Sequence, residues 1–81
     1  MSNEVFGRLA RIVADTFGID SGTVTPEMTA EDVPNWDSLN HLRLISAVEA
    51  HFGIRFTMAE VMGFQNVGDL LAVVERKSEA A

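Results

Sequence analysis

The sequence contains no cysteine, which excludes disulfide bonds, thiolate metal sites and cysteine nucleophiles. A chain without cysteine is compatible with a reducing cytoplasm, where we expect this protein to be located. Proline is also scarce, with 2 residues in 81, while 47% of the residues are hydrophobic. This composition favours a folded chain over a disordered one.

Basic residues are few: 6 Lys and Arg stand against 12 Asp and Glu, and the formal net charge is −6. An acidic chain is repelled by a phosphate backbone, so we expect no nucleic-acid partner. The charge favours a basic protein partner, or serves solubility alone. The longest stretch without a charged residue, Val61 to Gly68, is far shorter than the roughly 18 residues of a membrane span. The N-terminus has no signal-like pattern. We therefore expect a soluble protein.

A chain of this length buries one hydrophobic core, so we expect a single domain over residues 1–81. Its first helix is predicted from about Asn3 to Phe17, where apolar residues share one helical face, with Ser2 or Asn3 as the cap and Gly18 as the stop. The next stretch, Ile19 to Trp36, has no periodicity and is predicted to be a long loop. Its scattered apolar residues are expected to lie on the core: Val24, Met28 and Val33.

The second helix is predicted to begin at Ser38 and to end at Phe52, before Gly53. At 100° per residue, one of its faces is apolar and should be buried: Leu44, Ile45, Val48 and Phe52. The opposite face should be exposed and carries Leu39, Arg43, Ser46 and Ala50. Leu39, with Leu42 at its flank, places apolar surface where a core does not need it, which favours a docking surface. The simpler interpretation is that single exposed leucines are ordinary.

Two shorter signals complete the fold. Thr57 and Glu60 match a capping box, which predicts a brief third helix from about Met58 to Met62. Asn66 caps a last helix whose apolar residues keep helical spacing: Val67, Leu70, Leu71 and Val74. The expected fold is all-α, a small four-helix bundle of three main helices and one short helix, with a long loop between helices one and two.

Ser38 is the residue best placed to carry chemistry. A side chain at a helix N-terminus lies near unpaired backbone N–H groups and the positive end of the helix dipole, which would stabilise an attached phosphodiester. The alternative is that Asp37 and Ser38 only cap the helix. Activation of Ser38 by His41 and Asp37, as in a hydrolase, lacks the strand-to-helix elbow and the oxyanion hole that such enzymes use. His41 and His51 lie about 15 Å apart along one helix, too far to share a metal ion.

The order of these elements resembles the acyl carrier protein family over essentially the whole chain. The resemblance rests on Asp37-Ser38-Leu39 at the start of the second helix and on Phe52-Gly53-Ile54 at its end. It extends to Phe17-Gly18, Thr25-Pro26-Glu27 and Val67-Gly68-Asp69-Leu70. In that family the serine of the motif receives 4′-phosphopantetheine from coenzyme A, and its thiol carries an acyl chain as a thioester.

The resemblance implies that Ser38 is the attachment residue, flanked by the matching Asp37 and Leu39. It also implies a monomeric carrier without catalytic residues, and partners that include a phosphopantetheinyl transferase and enzymes that load and process acyl groups. We expect these enzymes to dock on the second helix, at Leu39, Leu42, Arg43, Ser46 and Glu49. A catalytic role is not expected, because the cofactor supplies the reactive group.

The second helix departs from that of housekeeping fatty-acid carriers, which is usually rich in carboxylates. Other residues stand where acids are common in that family: Asn40, Arg43, Ala50 and His51. Arg43 would repel a basic partner, which favours service in a specialised polyketide or modified-acyl pathway. An aminoacyl or peptidyl cargo is the main alternative, and a noncatalytic helical adaptor, with Ser38 as a cap or phosphorylation site, is a weaker one.

A cleft between helices is a further hypothesis. Large apolar side chains adapt well to a carried chain, and four of them are candidates to line such a cleft: Phe52, Phe56, Met62 and Phe64. The simpler interpretation, that they fill the core, is favoured for each.

Overall fold

The computed structural model describes residues 3–80, and all regular structure within that range is helical. Four α-helices follow one another along the chain: α1 (Asn3–Phe17), α2 (Ser38–Phe52), α3 (Met58–Gly63) and α4 (Val67–Ala80). The predicted all-α bundle of three main helices and one short helix is confirmed. α3 ends one residue later than predicted, and the proposed cap Ser2 lies outside the described residues.

Glycine ends both α1 and α2. Gly18 and Gly53 have φ angles of 71° and 67°, in the left-handed region that favours glycine. The Gly18 amide donates to the carbonyl oxygen of Ala14, and the Gly53 amide donates to that of Glu49, both at 2.8 Å. These bonds pair carbonyls that the end of a helix leaves without a partner.

The core lies where α1, α2 and α4 meet. Its largest fully buried side chains come from these three helices: Leu9, Val13, Leu44, Val48, Val67, Leu70 and Val74. The predicted buried face of α2 is confirmed at Leu44, Ile45 and Val48, and Phe52 is half-buried against the same core. Each helix therefore buries one apolar face.

The long connection between α1 and α2 is confirmed, and its apolar residues lie on the core as predicted. Val24 and Val33 are buried and Met28 is half-buried. Two short 3₁₀ helices, Ser21–Thr23 and Ala30–Asp32, were not predicted from the sequence. They form local hydrogen bonds for a segment that otherwise has no regular structure, and the connection brings the chain to Ser38 along a fixed path.

Candidate functional site

Ser38 is the first residue of α2, and Asp37 caps that helix. The Asp37 backbone is extended, and its carboxylate accepts a hydrogen bond from the Asn40 amide at 2.9 Å. Ser38 is exposed, and within residues 3–80 the structure shows no hydrogen bond to its hydroxyl. The capping role that was the alternative for this pair belongs to Asp37, so the Ser38 hydroxyl is available for chemistry.

The segment before Ser38 is fixed by side-chain amides. Asn40 donates from its side chain to the carbonyl oxygen of Asn35 at 2.7 Å, and Asn35 donates in turn to the carbonyl oxygen of Phe17 at 3.3 Å. These bonds join the first turn of α2 to the end of α1 through the loop. Ser38 is therefore presented on rigid backbone, as a positioned group requires.

Trp36 and His41 lie beside Ser38 and contact one another. The Trp36 ring stacks on Phe17 with 4.7 Å between ring centroids, and its indole N–H donates to Nδ1 of His41 at 3.0 Å. Nε2 of His41 lies 2.9 Å from the carbonyl oxygen of Val61 in α3. Both ring nitrogens of His41 thus bond to groups other than Ser38. Ser38 and His41 therefore do not form a catalytic serine–histidine pair. His41 is half-buried.

An open cleft of about 660 Å³ lies between the start of α2 and α3, with Ser38 at its rim. Apolar side chains from both helices and the preceding loop form most of its lining: Ala30, Trp36, Leu42, Met58, Val61, Met62 and Phe64. An apolar cleft of this size beside a free hydroxyl can shelter an apolar group attached there.

The cleft hypothesis applies to two of its four candidates, since Met62 and Phe64 line the cleft. Phe52 and Phe56 follow the simpler interpretation that was favoured, because both pack against the core, and Phe56 meets Phe64 edge-to-face with 5.5 Å between ring centroids. Trp36 was not predicted to line the cleft. The signal that could have indicated Trp36 was its position directly before the Asp-Ser-Leu motif. The signal for His41 was its position three residues beyond Ser38, on the same helical face.

The residues predicted to dock partners lie along the outer side of α2. Leu39 and Leu42 are 60% and 53% exposed, and Arg43 and Ser46 are exposed as well. Glu49 differs, because it is half-buried and its carboxylate accepts a hydrogen bond from the Phe56 amide at 2.8 Å. Its charge therefore also holds the loop that follows α2.

The clearest electrostatic effect lies on α3, away from Ser38. Hydrogen bonds from the Thr57 backbone amide and from the Lys77 ammonium lower the pKa of Glu60 below its ordinary value. The described residues contain no group of three His, Cys, Asp or Glu side chains that could hold a metal ion. None of the described helices is long and apolar enough to cross a membrane.

The surroundings of Ser38 fit a phosphodiester. The hydroxyl is exposed, and the first backbone amides of α2, at Ser38 and Leu39, have no acceptor within the helix. Such amides and the helix dipole favour negative charge at this end. A phosphopantetheine group, when bound, supplies a thiol that forms a thioester with the cargo.

Comparison with known proteins gives a consistent answer. The family model described as a phosphopantetheine attachment site matches residues 7–74. The chain is 30% identical over 74 residues to an acyl carrier protein of Thermotoga maritima, covering 91% of each chain. It is 29% identical over 76 residues to the meromycolate extension acyl carrier protein of Mycolicibacterium smegmatis, covering 94% of this chain and 77% of that protein.

A solved structure agrees with these sequence matches. The solution structure of a holo acyl carrier protein from Geobacter metallireducens superposes with a TM-score of 0.87 and 36% identity, over 99% of this chain and 90% of that one. The match extends over the whole bundle, including the start of α2. The chain therefore belongs to the acyl carrier protein family and carries a covalently attached 4′-phosphopantetheine, without catalytic activity of its own.

Proposed function

We propose that Ser38 is the residue to which the 4′-phosphopantetheine is attached. The observation that carries this proposal is that Asp37, and not Ser38, caps α2, so the Ser38 hydroxyl is left exposed and without a hydrogen bond among residues 3–80. The hydroxyl lies at the rim of an apolar cleft and beside free backbone amides. Asp37 and Leu39 complete the binding motif on either side.

The carrier is proposed to dock its partner enzymes on the outer side of α2, through Leu39, Leu42, Arg43, Ser46 and Glu49. The two exposed leucines support this surface, because they add apolar area directly beyond Ser38. The partners are a phosphopantetheinyl transferase and enzymes that load and process the acyl group. Tethering raises the effective concentration of the cargo at each docked enzyme, which is the benefit of such a carrier. We propose that it acts as a monomer in the cytoplasm.

The pathway is proposed to be a specialised one, of polyketide or modified-acyl type. The support is the low density of acids on α2, where Arg43 is exposed and the Glu49 carboxylate also holds the Phe56 amide. A partner with a strongly basic docking patch would be repelled by Arg43. The mycobacterial relative named for meromycolate extension shows that a carrier at this level of similarity can bear a specialised name.

Mass spectrometry of the intact protein tests the attachment. Incubation of the apo protein with coenzyme A and a broad-specificity phosphopantetheinyl transferase should add one phosphopantetheinyl mass. Ser38→Ala should abolish the gain while the fold persists. Ser21→Ala is the matched control, since Ser21 is also an exposed serine but lies outside the proposed docking side of α2, and this variant should be modified as efficiently as the wild type. A mass gain that persists in Ser38→Ala would refute the assignment.

Loading assays test the class of cargo. The holo protein is incubated separately with acyltransferases that deliver malonyl groups and with adenylating enzymes that activate fatty acids or amino acids. Formation of an acyl or malonyl thioester is the expected result. Loading by amino-acid-activating enzymes alone would instead identify an aminoacyl or peptidyl carrier.

A further inference from the structure

The imidazole of His41 joins two segments that lie on opposite sides of the cleft. Its Nδ1 accepts the indole N–H of Trp36, and its Nε2 meets the carbonyl oxygen of Val61, at 3.0 and 2.9 Å. All three residues line the cleft beside Ser38. We call these two hydrogen bonds the His41 bridge.

One tautomer of His41 satisfies both ends of the His41 bridge. An indole nitrogen only donates and a carbonyl oxygen only accepts, so Nδ1 must be the acceptor and Nε2 must carry the proton. The ring is then neutral and fully paired within the cleft wall. A single donor and a single acceptor on one rigid ring fix the distance between Trp36 and Val61.

The two ends of the His41 bridge differ in how firmly they are held. Trp36 is fixed, because its ring stacks on Phe17, which is itself buried in the core. α3 has only six residues, and a helix of that length is not stable without contacts to the rest of the protein. The His41 bridge therefore holds α3 at a set distance from the fixed indole of Trp36.

α3 depends on side chains at both of its ends. At its start, the Thr57 hydroxyl accepts from the Glu60 amide and the Glu60 carboxylate accepts from the Thr57 amide. Near its end, the carbonyl of Val61 would need an amide four residues later, but the amide of Gln65 donates to Asp69 at 3.1 Å. His41 supplies the donor that the Val61 carbonyl lacks within its own helix.

We propose that His41 is a positioning residue that sets the width of the cleft beside Ser38 by tying α3 to Trp36. Met62 and Phe64, which form the far wall, follow the position of α3. His41 does not act on the cargo itself. This inference rests on the proposed function only for the statement that the cleft receives a group carried on Ser38.

The bridge is tested first on the unmodified protein, which requires no cofactor. Long-range ¹H–¹⁵N spectra of the imidazoles should show His41 in the neutral tautomer protonated at Nε2, and a tautomer protonated at Nδ1 would overturn the proposal. His41→Phe keeps a ring and removes both bonds. Amide hydrogen exchange in α3 should then become about fivefold faster, the change expected from losing the one of these bonds that α3 makes, at the Val61 carbonyl.

Three further variants make this result specific. His51→Phe is the matched control, since it removes the other imidazole of α2 from an exposed position and should leave exchange in α3 unchanged. Trp36→Phe retains an aromatic ring beside Phe17 but replaces the indole by a smaller ring without an N–H. It therefore tests the bridge should His41→Phe not fold. His41→Gln keeps an N–H that can reach the Val61 carbonyl and should restore part of the protection. Equal exchange in wild type, His41→Phe and Trp36→Phe would overturn the proposal.

The consequence for the cargo is tested on protein loaded with an octanoyl thioester. Loading should shift the methyl resonance of Met62 in the wild type, and the shift should fall at least twofold in His41→Phe but not in His51→Phe. An equal shift in both variants would overturn the proposed effect on the cleft. Failure of the wild type to accept phosphopantetheine would instead refute the attachment at Ser38, and the exchange result in unmodified protein would be unaffected.

Discussion

The amide of Gly68 donates a hydrogen bond to the carbonyl oxygen of Pro26 at 2.7 Å. This bond joins the first turn of α4 to the turn that begins the second half of the long loop, and the amide of Val67 repeats the contact at Met28. Two short motifs that resemble the family, around Pro26 and around Gly68, are therefore in direct contact. The amides at the start of α4, which have no acceptor within their own helix, donate to the loop and hold it against the bundle.

Gly68→Ala should destabilise the protein by about 1 kcal/mol, even though alanine is the better helix former. A Cβ at this position would lie 3.1 Å from the Pro26 carbonyl oxygen and 3.2 Å from the side-chain oxygen of Asn66. Both oxygens already accept hydrogen bonds, from Gly68 and Asp69, so neither can move away freely. Urea denaturation measures the change in the free energy of unfolding.

Gly7→Ala is the control for this substitution. Gly7 lies within α1, and a Cβ there meets no other atom within 4 Å. The free energy of unfolding should rise by about 0.5–1 kcal/mol, because alanine loses less backbone entropy in a helix. Changes of the same sign in the two variants would contradict the close approach at Gly68.

Leu44→Ala and Leu42→Ala should separate stability from docking, although the two residues are neighbours on α2. Leu44 is fully buried, and its truncation should cost about 2–5 kcal/mol, a large share of the stability of a small domain. Leu42 is 53% exposed, so Leu42→Ala should change the free energy of unfolding by less than about 1 kcal/mol. Cargo transfer to a partner enzyme should nevertheless slow. The pair is checked by urea denaturation and a transfer assay, and normal transfer by Leu42→Ala would argue against a docking role for Leu42.

Stability should depend on pH through Glu60. Hydrogen bonds from the Thr57 amide and from Lys77 hold the pKa of this carboxyl below its ordinary value of 4.5 in the folded state. The folded state therefore binds fewer protons, so the contribution is complete above the ordinary pKa and is lost as pH falls through the lowered one. Glu60→Gln should have a lower Tm than the wild type at pH 7, and the difference should narrow as the pH falls below 4.5.

Glu27→Gln is the matched control for this pH dependence, since it makes the same substitution at an exposed position of the loop. Its Tm should follow that of the wild type across the same range. If the plots of Tm against pH for Glu60→Gln and the wild type ran parallel, the ion pairs of Glu60 with Lys77 and Arg76 would not stabilise α3.

Arg43→Glu should change which partners the carrier accepts. A carboxylate on the docking side of α2 adds attraction to a basic enzyme patch, and kcat/KM with a primary fatty-acid synthesis enzyme should rise by about three- to tenfold. Arg11→Glu makes the same charge change at an exposed position of α1 and should have a much smaller effect. Equal gains in kcat/KM in the two variants would indicate that the net charge of the protein, and not the position of Arg43, causes the effect. The gain should also decrease as ionic strength increases.

The helices were predictable because their signals are local. Helical spacing and the caps at Asp37, Thr57 and Asn66 act within four residues of the chain, as do the stops at Gly18 and Gly53. The position of Ser38 at the start of α2 follows from the same signals. The spacing of hydrophobic residues indicates which side chains are buried, and this was sufficient to predict the residues of the core.

The cleft was less predictable because its walls meet across long separations in the sequence. His41 and Val61 are joined by a hydrogen bond between residues 20 apart, and no periodic pattern indicates such a contact. Of the four large apolar residues considered for the cleft, the sequence could not tell that Met62 and Phe64 line it while Phe52 and Phe56 pack on the core, since aromatic content predicts burial but not which neighbour a ring will face. The contacts of Gly68 and Val67 with the loop are equally distant in sequence.

Trp36 has one more consequence. It is the single tryptophan of a chain that contains no tyrosine, and it lies in the wall of the cleft beside Ser38. Ultraviolet fluorescence excited at the indole band therefore arises from this one site. Emission wavelength and quenching should report attachment of the arm, occupation of the cleft and docking of an enzyme in real time, so the carrier can be followed through a reaction cycle without an added dye.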